Sequence, residues 1–120
     1  MDGVVKVAVS GALGSMGKFT CAAVLQDAGL ALVAAVDPRY AETDDSFPDY
    51  CPHFVTVESA LGAVEVDVLV DFTQPAVVLA NVLAALQRRV APVVGTTGLS
   101  DESLSRIAAE CRRQDSPTFV

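Results

Sequence analysis

Three glycines and one aspartate carry the first chemistry legible in this 120-residue chain. Gly11, Gly14 and Gly17 are spaced G-x-x-G-x-x-G, and Asp37 follows twenty residues after the last of them. The first turn of a helix leaves backbone N–H groups unpaired and gathers partial positive charge, so a phosphate can sit there if no side chain blocks it. In that reading Gly11 allows a tight turn, Gly14 admits a pyrophosphate, and Gly17 lets the helix pack closely on a strand. A carboxylate at Asp37 is placed to accept both hydroxyls of an adenosine ribose. The glycine spacing alone also suits an ordinary glycine-rich connector; the two signals together favour a dinucleotide site.

The elements that must position these residues follow from periodicity. A β-branched run over 4–10 reads as a central strand, apolar on both faces. The helix expected over 15–28 carries Met16, Phe19, Ala23 and Val24 near one side and ends at Gly29. A second buried strand over 30–36 runs into Asp37. Between 38 and 52 the periodicity dissolves into prolines and acidic residues, which reads as a long surface loop. His53, the lone histidine, stands at its end and reads as a surface or hydrogen-bonded residue, not a catalyst.

Further on, a short strand over 54–57 precedes a turn or two of helix over 58–63, and another strand covers 66–70. Thr73 or Gln74 can cap the next helix, which Pro75 opens. Over 75–89 that helix sets Val78, Leu79, Val82, Leu83 and Leu86 on one stripe and ends in Arg88-Arg89, a basic end that complements the helix dipole. A strand over 91–94 leads to Gly95-Thr96-Thr97-Gly98. Ser100 caps a last helix with Leu104, Ile107, Ala108 and Cys111 on its buried face, and residues 117–120 begin a sixth strand. The alternation implies an α/β fold, a Rossmann-like doubly wound parallel sheet with helices on both faces, in a single domain.

Composition narrows the function. With 52% hydrophobic and 19% charged residues the chain is a buried globule, and its net charge of −7 with no basic cluster argues against nucleic-acid binding. A phosphorylated ligand must then be held by local dipoles, since the long-range field repels it. Cys21, Cys51 and Cys111 lack disulfide or zinc spacing, so no metal is expected, and Cys21 and Cys111 read as small apolar packing groups. No signal peptide or membrane-length apolar run is visible, so the expected location is the cytoplasm.

Two further loops lie at strand ends, where ligands of such sheets collect. In Asp71-Phe72-Thr73-Gln74-Pro75 the carboxylate can be functional or structural, and Phe72 can cover a nicotinamide face or close the core. In Gly95-Thr96-Thr97-Gly98 the glycines expose backbone groups to a planar ligand and the threonines add donors; an ordinary connection fits as well.

Gly11-Ala12-Leu13-Gly14-Ser15-Met16-Gly17, Asp71-Phe72-Thr73-x-Pro75 and Gly95-Thr-Thr-Gly98, in this order, resemble the N-terminal domain of the 4-hydroxy-tetrahydrodipicolinate reductase (dihydrodipicolinate reductase) family of diaminopimelate and lysine biosynthesis. The resemblance covers essentially the whole chain. It implies an NADH- or NADPH-dependent reduction of a cyclic dicarboxylate, with Gly11, Ala12, Leu13, Gly14, Ser15 and Met16 at the pyrophosphate and Asp37 at the ribose. Gly95, Thr96 and Thr97 would line the nicotinamide, and Thr97 the substrate edge. The family's catalytic histidine and lysine and its homotetramer interface belong to a C-terminal domain. Residues 1–120 are therefore expected to bind cofactor without turnover.

Family members often carry a basic residue where Ser15 stands, and another just after the acidic position, where this chain has Pro38 and then Arg39. Arg39 can attract a 2′-phosphate while Asp37 repels it, so the expected preference leans to NADH. Two rival readings share the glycine loop and Asp37. One is a non-catalytic dinucleotide-sensing module of a regulator; the other is the cofactor domain of a different two-domain dehydrogenase.

Overall fold

A computed structural model describes residues 4–95. The chain runs β1 (Val5–Ser10), α1 (Ser15–Gln26), β2 (Leu30–Val36), a 3-10 turn (Pro38–Ala41), β3 (His53–Phe54), α2 (Val57–Ala63), β4 (Val68–Asp71), α3 (Pro75–Gln87) and β5 (Ala91–Val94). All strand pairs are parallel, in the order β3-β2-β1-β4-β5. The order reverses between β2 and β4 across β1, and the crevice above that point is where such sheets bind ligands. The helix expected from Ser100 and the strand expected over 117–120 lie outside the described residues.

Side-chain alternation along β1 divides the core. Val7 and Val9 pack with Cys21 and Val24 of α1 on one face. Ala8 packs on the other with Leu69 of β4, Ala60 and Leu61 of α2 and Ala85 of α3. The second half of β1, from Val7 to Ser10, is thus buried from both sides, which is why it does not alternate apolar and polar residues. The Cys21 and Cys51 thiols are buried in the α1-side cluster, and burial pushes both up to about 11. Both pack as small apolar groups. No helix among the described residues is long and apolar enough to cross a membrane.

Several local expectations give way. The buried stripe of α1 is Gly17, Cys21 and Val24, whereas Met16 and Phe19 are 56% and 70% exposed and Ala23 also faces out. The cause is Gly17, whose missing side chain lets α1 lie directly on the glycine loop and so fixes the rotation of the helix. Helix α1 stops at Gln26 without a left-handed glycine; Gly29 donates its N–H to the Asp27 carboxylate at 2.8 Å. Strand β3 is confined to His53–Phe54, and Thr56 caps α2 by accepting from Ser59 N–H at 3.1 Å. Gln74 occupies the cap position of α3 but makes no side-chain cap bond.

The segment over 38–52 is more anchored than its composition suggests. It opens with the 3-10 turn, Cys51 is buried, and the Tyr40 hydroxyl donates to the Phe47 carbonyl. The Tyr40 ring stacks on His53 at 4.6 Å, and His53 Nε2 lies 2.7 Å from the Pro48 carbonyl. His53 is a hydrogen-bonded packing residue.

Helix α3 ends at Gln87, so Arg88 and Arg89 lie past its last turn. Arg89 takes a left-handed φ of 59°, its N–H bonds to the Leu86 carbonyl, and Val90 N–H reaches back to Ala85. This is a Schellman ending with arginine where glycine is usual. Arg89→Gly is expected to raise stability by about 0.5–1 kcal/mol, seen as a higher denaturant midpoint with an unchanged slope.

Candidate functional site

The site lies above the carboxyl ends of β1, β2 and β4. Gly11 leaves β1 with a φ of 82°, a conformation open to glycine. Its N–H donates to the Val36 carbonyl at 2.8 Å, and that of buried Ala12 to the same oxygen at 3.1 Å. Gly14 N–H closes the turn onto the Gly11 carbonyl. A Cβ on Gly17 would lie 1.9 Å from the Gly11 carbonyl oxygen, so the third glycine serves contact of helix with loop, not helix with strand. Gly14 is different: among the described residues, the nearest atom to a Cβ there would be the Gly11 carbonyl oxygen, at 3.5 Å. Among the described residues, the Ser15 and Met16 N–H groups at the mouth of α1 have no acceptor.

Asp37 stands at one end of this loop, 3% exposed. Its Oδ2 accepts from Leu13 N–H at 3.0 Å and from Arg39 Nη2 at 3.0 Å. Its Oδ1 accepts from Arg39 N–H at 2.9 Å and Arg39 Nε at 3.1 Å. Burial works to raise the Asp37 pKa, but the Arg39 and Leu13 hydrogen bonds outweigh it and leave it below the ordinary carboxylate value. The stability these bonds supply is therefore fully present above the ordinary carboxylate range, and it is lost as pH falls through the lowered value. Arg39, which the sequence marks as able to attract a 2′-phosphate beside a repelling Asp37, here bonds its guanidinium to the Asp37 carboxylate.

The opposite wall is the turn after β4. Asp71 is fully buried and accepts from Thr73 N–H at 2.8 Å, from the Thr73 hydroxyl and from Asn81 Nδ2 at 2.9 Å. It is therefore the structural carboxylate that orders the turn. Phe72 N–H donates to the Ser10 carbonyl, its backbone rests against Gly11, and its ring lies over Gly95, where a Cβ would come within 2.4 Å of the ring. Phe72 thus closes part of the α1-side core while also facing the trough.

The trough between the walls has two communicating parts. One, of about 630 Å³, runs from Asp37 and Arg39 past Gly11 and Gly14 to Phe72 and Val77. The other, of about 460 Å³, extends over Ser15 and Met16 to Gly95. Gly11, Leu13, Gly14, Ser15, Met16, Asp37, Arg39, Phe72 and Gly95 are brought together along this trough or its supporting loop, and Ala12 is buried beneath it. Thr96 and Thr97 lie outside the described residues. The sequence reading missed Asn81, whose signal was an amide amid the apolar run of α3, and Val77 of the trough wall.

The family described as "Dihydrodipicolinate reductase, N-terminus" matches residues 5–120. The chain belongs to the dihydrodipicolinate reductase family. A 4-hydroxy-tetrahydrodipicolinate reductase of Streptococcus pneumoniae strain Hungary19A-6 is 38% identical over 112 residues, covering 92% of this chain and 42% of that protein. One from S. pneumoniae serotype 19F, strain G54, is 40% identical over 111 residues. The chain spans less than half the length of these relatives.

Among solved structures, the dipicolinate-bound dihydrodipicolinate reductase of Paenisporosarcina sp. TG-14 superposes with a TM-score of 0.83 at 28% identity, over 96% of this chain and 46% of that one. The WlbA dehydrogenase of Bordetella pertussis, in complex with NADH and UDP-GlcNAcA, gives 0.83 at 18% identity over 98% of this chain and 36% of that one, a likeness of fold. The dihydrodipicolinate reductase motifs noted in the sequence form the trough's floor in the glycine loop and its far wall in the turn after β4.

Proposed function

We propose that residues 1–120 form the nicotinamide-dinucleotide-binding half of a reductase that transfers hydride from NAD(P)H to 4-hydroxy-tetrahydrodipicolinate in lysine and diaminopimelate biosynthesis, in the cytoplasm. One observation carries the reading: Gly14 stands bare at the mouth of α1, although among the described residues a Cβ there would make only ordinary contacts, at 3.5 Å with Gly11 O and 3.9 Å with Arg39 Nη2. A glycine that no described neighbour sterically requires fits the approach of a diphosphate. Ser15 and Met16 N–H groups would hold that diphosphate, Asp37 the adenosine ribose, and Phe72, Gly95, Thr96 and Thr97 the nicotinamide end, with Thr97 touching substrate.

The dinucleotide supplies the hydride; these residues bind and orient it. The groups that protonate and clamp the dicarboxylate, together with a homotetramer interface, are assigned to the part of the relatives that this chain does not span.

A 2′-phosphate would meet the Asp37 carboxylate as well as Arg39, so NADH is expected to bind more tightly than NADPH. Fluorescence titration with both cofactors checks this, and a clear NADPH preference would overturn it. The chain alone is expected to bind without turnover; cofactor oxidation with authentic substrate by these 120 residues would refute that division of labour.

A further inference from the structure

We infer that Arg39 is an internal competitor for the ribose site: its guanidinium fills the acceptor positions on Asp37 that a ribose diol needs, and it must leave before the ribose can bind. The inference rests on the dinucleotide reading above and concerns how that site is regulated. A carboxylate offers about four lone-pair directions. All four on Asp37 are taken, two by the backbone N–H groups of Leu13 and Arg39 and two by Arg39 Nε and Nη2.

The backbone donors hold the carboxylate in place whatever the side chain does. Removing only the guanidinium frees one acceptor direction on each oxygen, the pattern that two neighbouring hydroxyls require. The guanidinium also overhangs the phosphate loop, with Nη2 3.9 Å from where a Gly14 Cβ would stand.

Displacement is feasible because the Arg39 side chain is 59% exposed whereas that of Asp37 is 4% exposed. The carboxylate stays fixed while the arginine can swing into solvent. The same pair explains how the fold tolerates Asp37: without Arg39 a buried charge would rest on two backbone donors alone. Arg39 therefore serves the fold and opposes the ligand, and its removal should move stability and affinity in opposite directions.

If the closed arrangement is populated about 80–90% of the time, as suits an ion pair with one exposed partner, it weakens apparent binding about 5–10-fold. Arg39→Met keeps the aliphatic stem and deletes the donors. It is expected to bind NADH about 5–10-fold more tightly than the parent chain while melting at a lower temperature. Arg39→Lys, a cation without the fork, should fall between and serves if the methionine variant folds poorly.

Equal or weaker NADH binding by a folded variant, beside a parent that binds, overturns the competitor role and leaves the dinucleotide reading standing. Failure of parent and variants alike to bind millimolar NADH overturns both. In the parent, the Arg39 Nε–H resonance should be protected in the free protein and exchange rapidly with NADH bound. Retained protection in the complex also overturns the inference.

Discussion

Gly14→Ala is expected to leave the melting temperature nearly unchanged and to weaken NADH binding tenfold or more, roughly 1.4 kcal/mol or above. Gly17→Ala is expected to lose both stability and binding. The two positions are one helical turn apart, yet their surroundings are opposite. At Gly14 the backbone has φ −78° and ψ 169°, which alanine adopts without strain, and the nearest atom to a new Cβ among the described residues is 3.5 Å away. Losing a glycine N-cap to alanine costs about 0.5–1 kcal/mol, which the lower entropy of the unfolded alanine chain offsets by about 0.4–1 kcal/mol, so the methyl acts mainly on whatever must approach the mouth of α1.

At Gly17 the new Cβ would stand 1.9 Å from Gly11 O, 2.7 Å from Gly11 C and 2.8 Å from Ala12 Cα. All three are backbone atoms of the loop, so either α1 or the loop must shift. Overpacking of this kind costs about 1–3 kcal/mol and more where backbone is the obstacle. A displaced loop also loses the Leu13-to-Asp37 hydrogen bond and the alignment of the helix mouth. Calorimetry and cofactor titration on the two variants separate the roles. Normal NADH affinity in Gly14→Ala would remove the observation on which the functional reading stands.

Asp71→Ala should be the most damaging single change in the wall of the trough, lowering stability by about 2–4 kcal/mol. The carboxylate is fully buried and satisfies the Thr73 N–H, the Thr73 hydroxyl and the Asn81 amide. Alanine removes the buried acceptor that the Thr73 N–H, the Thr73 hydroxyl and the Asn81 amide share, and the Phe72–Gln74 turn is weakened. Asp71→Asn should cost about 1 kcal/mol, because one oxygen still serves Thr73 and the Asn81 amide can turn its carbonyl toward the new NH₂. Urea unfolding of both variants checks the ratio. Equal losses would mean that charge, not acceptor count, sets the role of Asp71.

Much of this arrangement was legible along the chain. Strands β1 and β2 stand out because a parallel strand covered on both faces is mostly apolar along its length. The glycine loop, Asp37 and the Asp71–Pro75 turn were legible as chemistry because turns and helix starts need particular residue types at fixed spacing. Those are local constraints, and each is met within a few residues of its own position.

What only the tertiary structure decided depends on neighbours distant in sequence. Met16 and Phe19 face solvent because the Gly17 contact with Gly11 sets the rotation of α1, and no helical periodicity contains that contact. Asp71 proved structural because Asn81, ten residues on and in another element, completes its shell.

The segment over 38–52 looked like open loop because its order comes from tertiary contacts, the Tyr40–His53 stack and the Phe47 and Pro48 carbonyls, with little apolar repeat of its own. Arg39 and Asp37 were legible as neighbours, but not that the arginine closes back on the carboxylate. Sequence thus set which groups are available at the strand ends. The folded backbone decided which are already satisfied by one another, because a hydrogen bond depends on where two groups come to rest and not on how far apart they are along the chain.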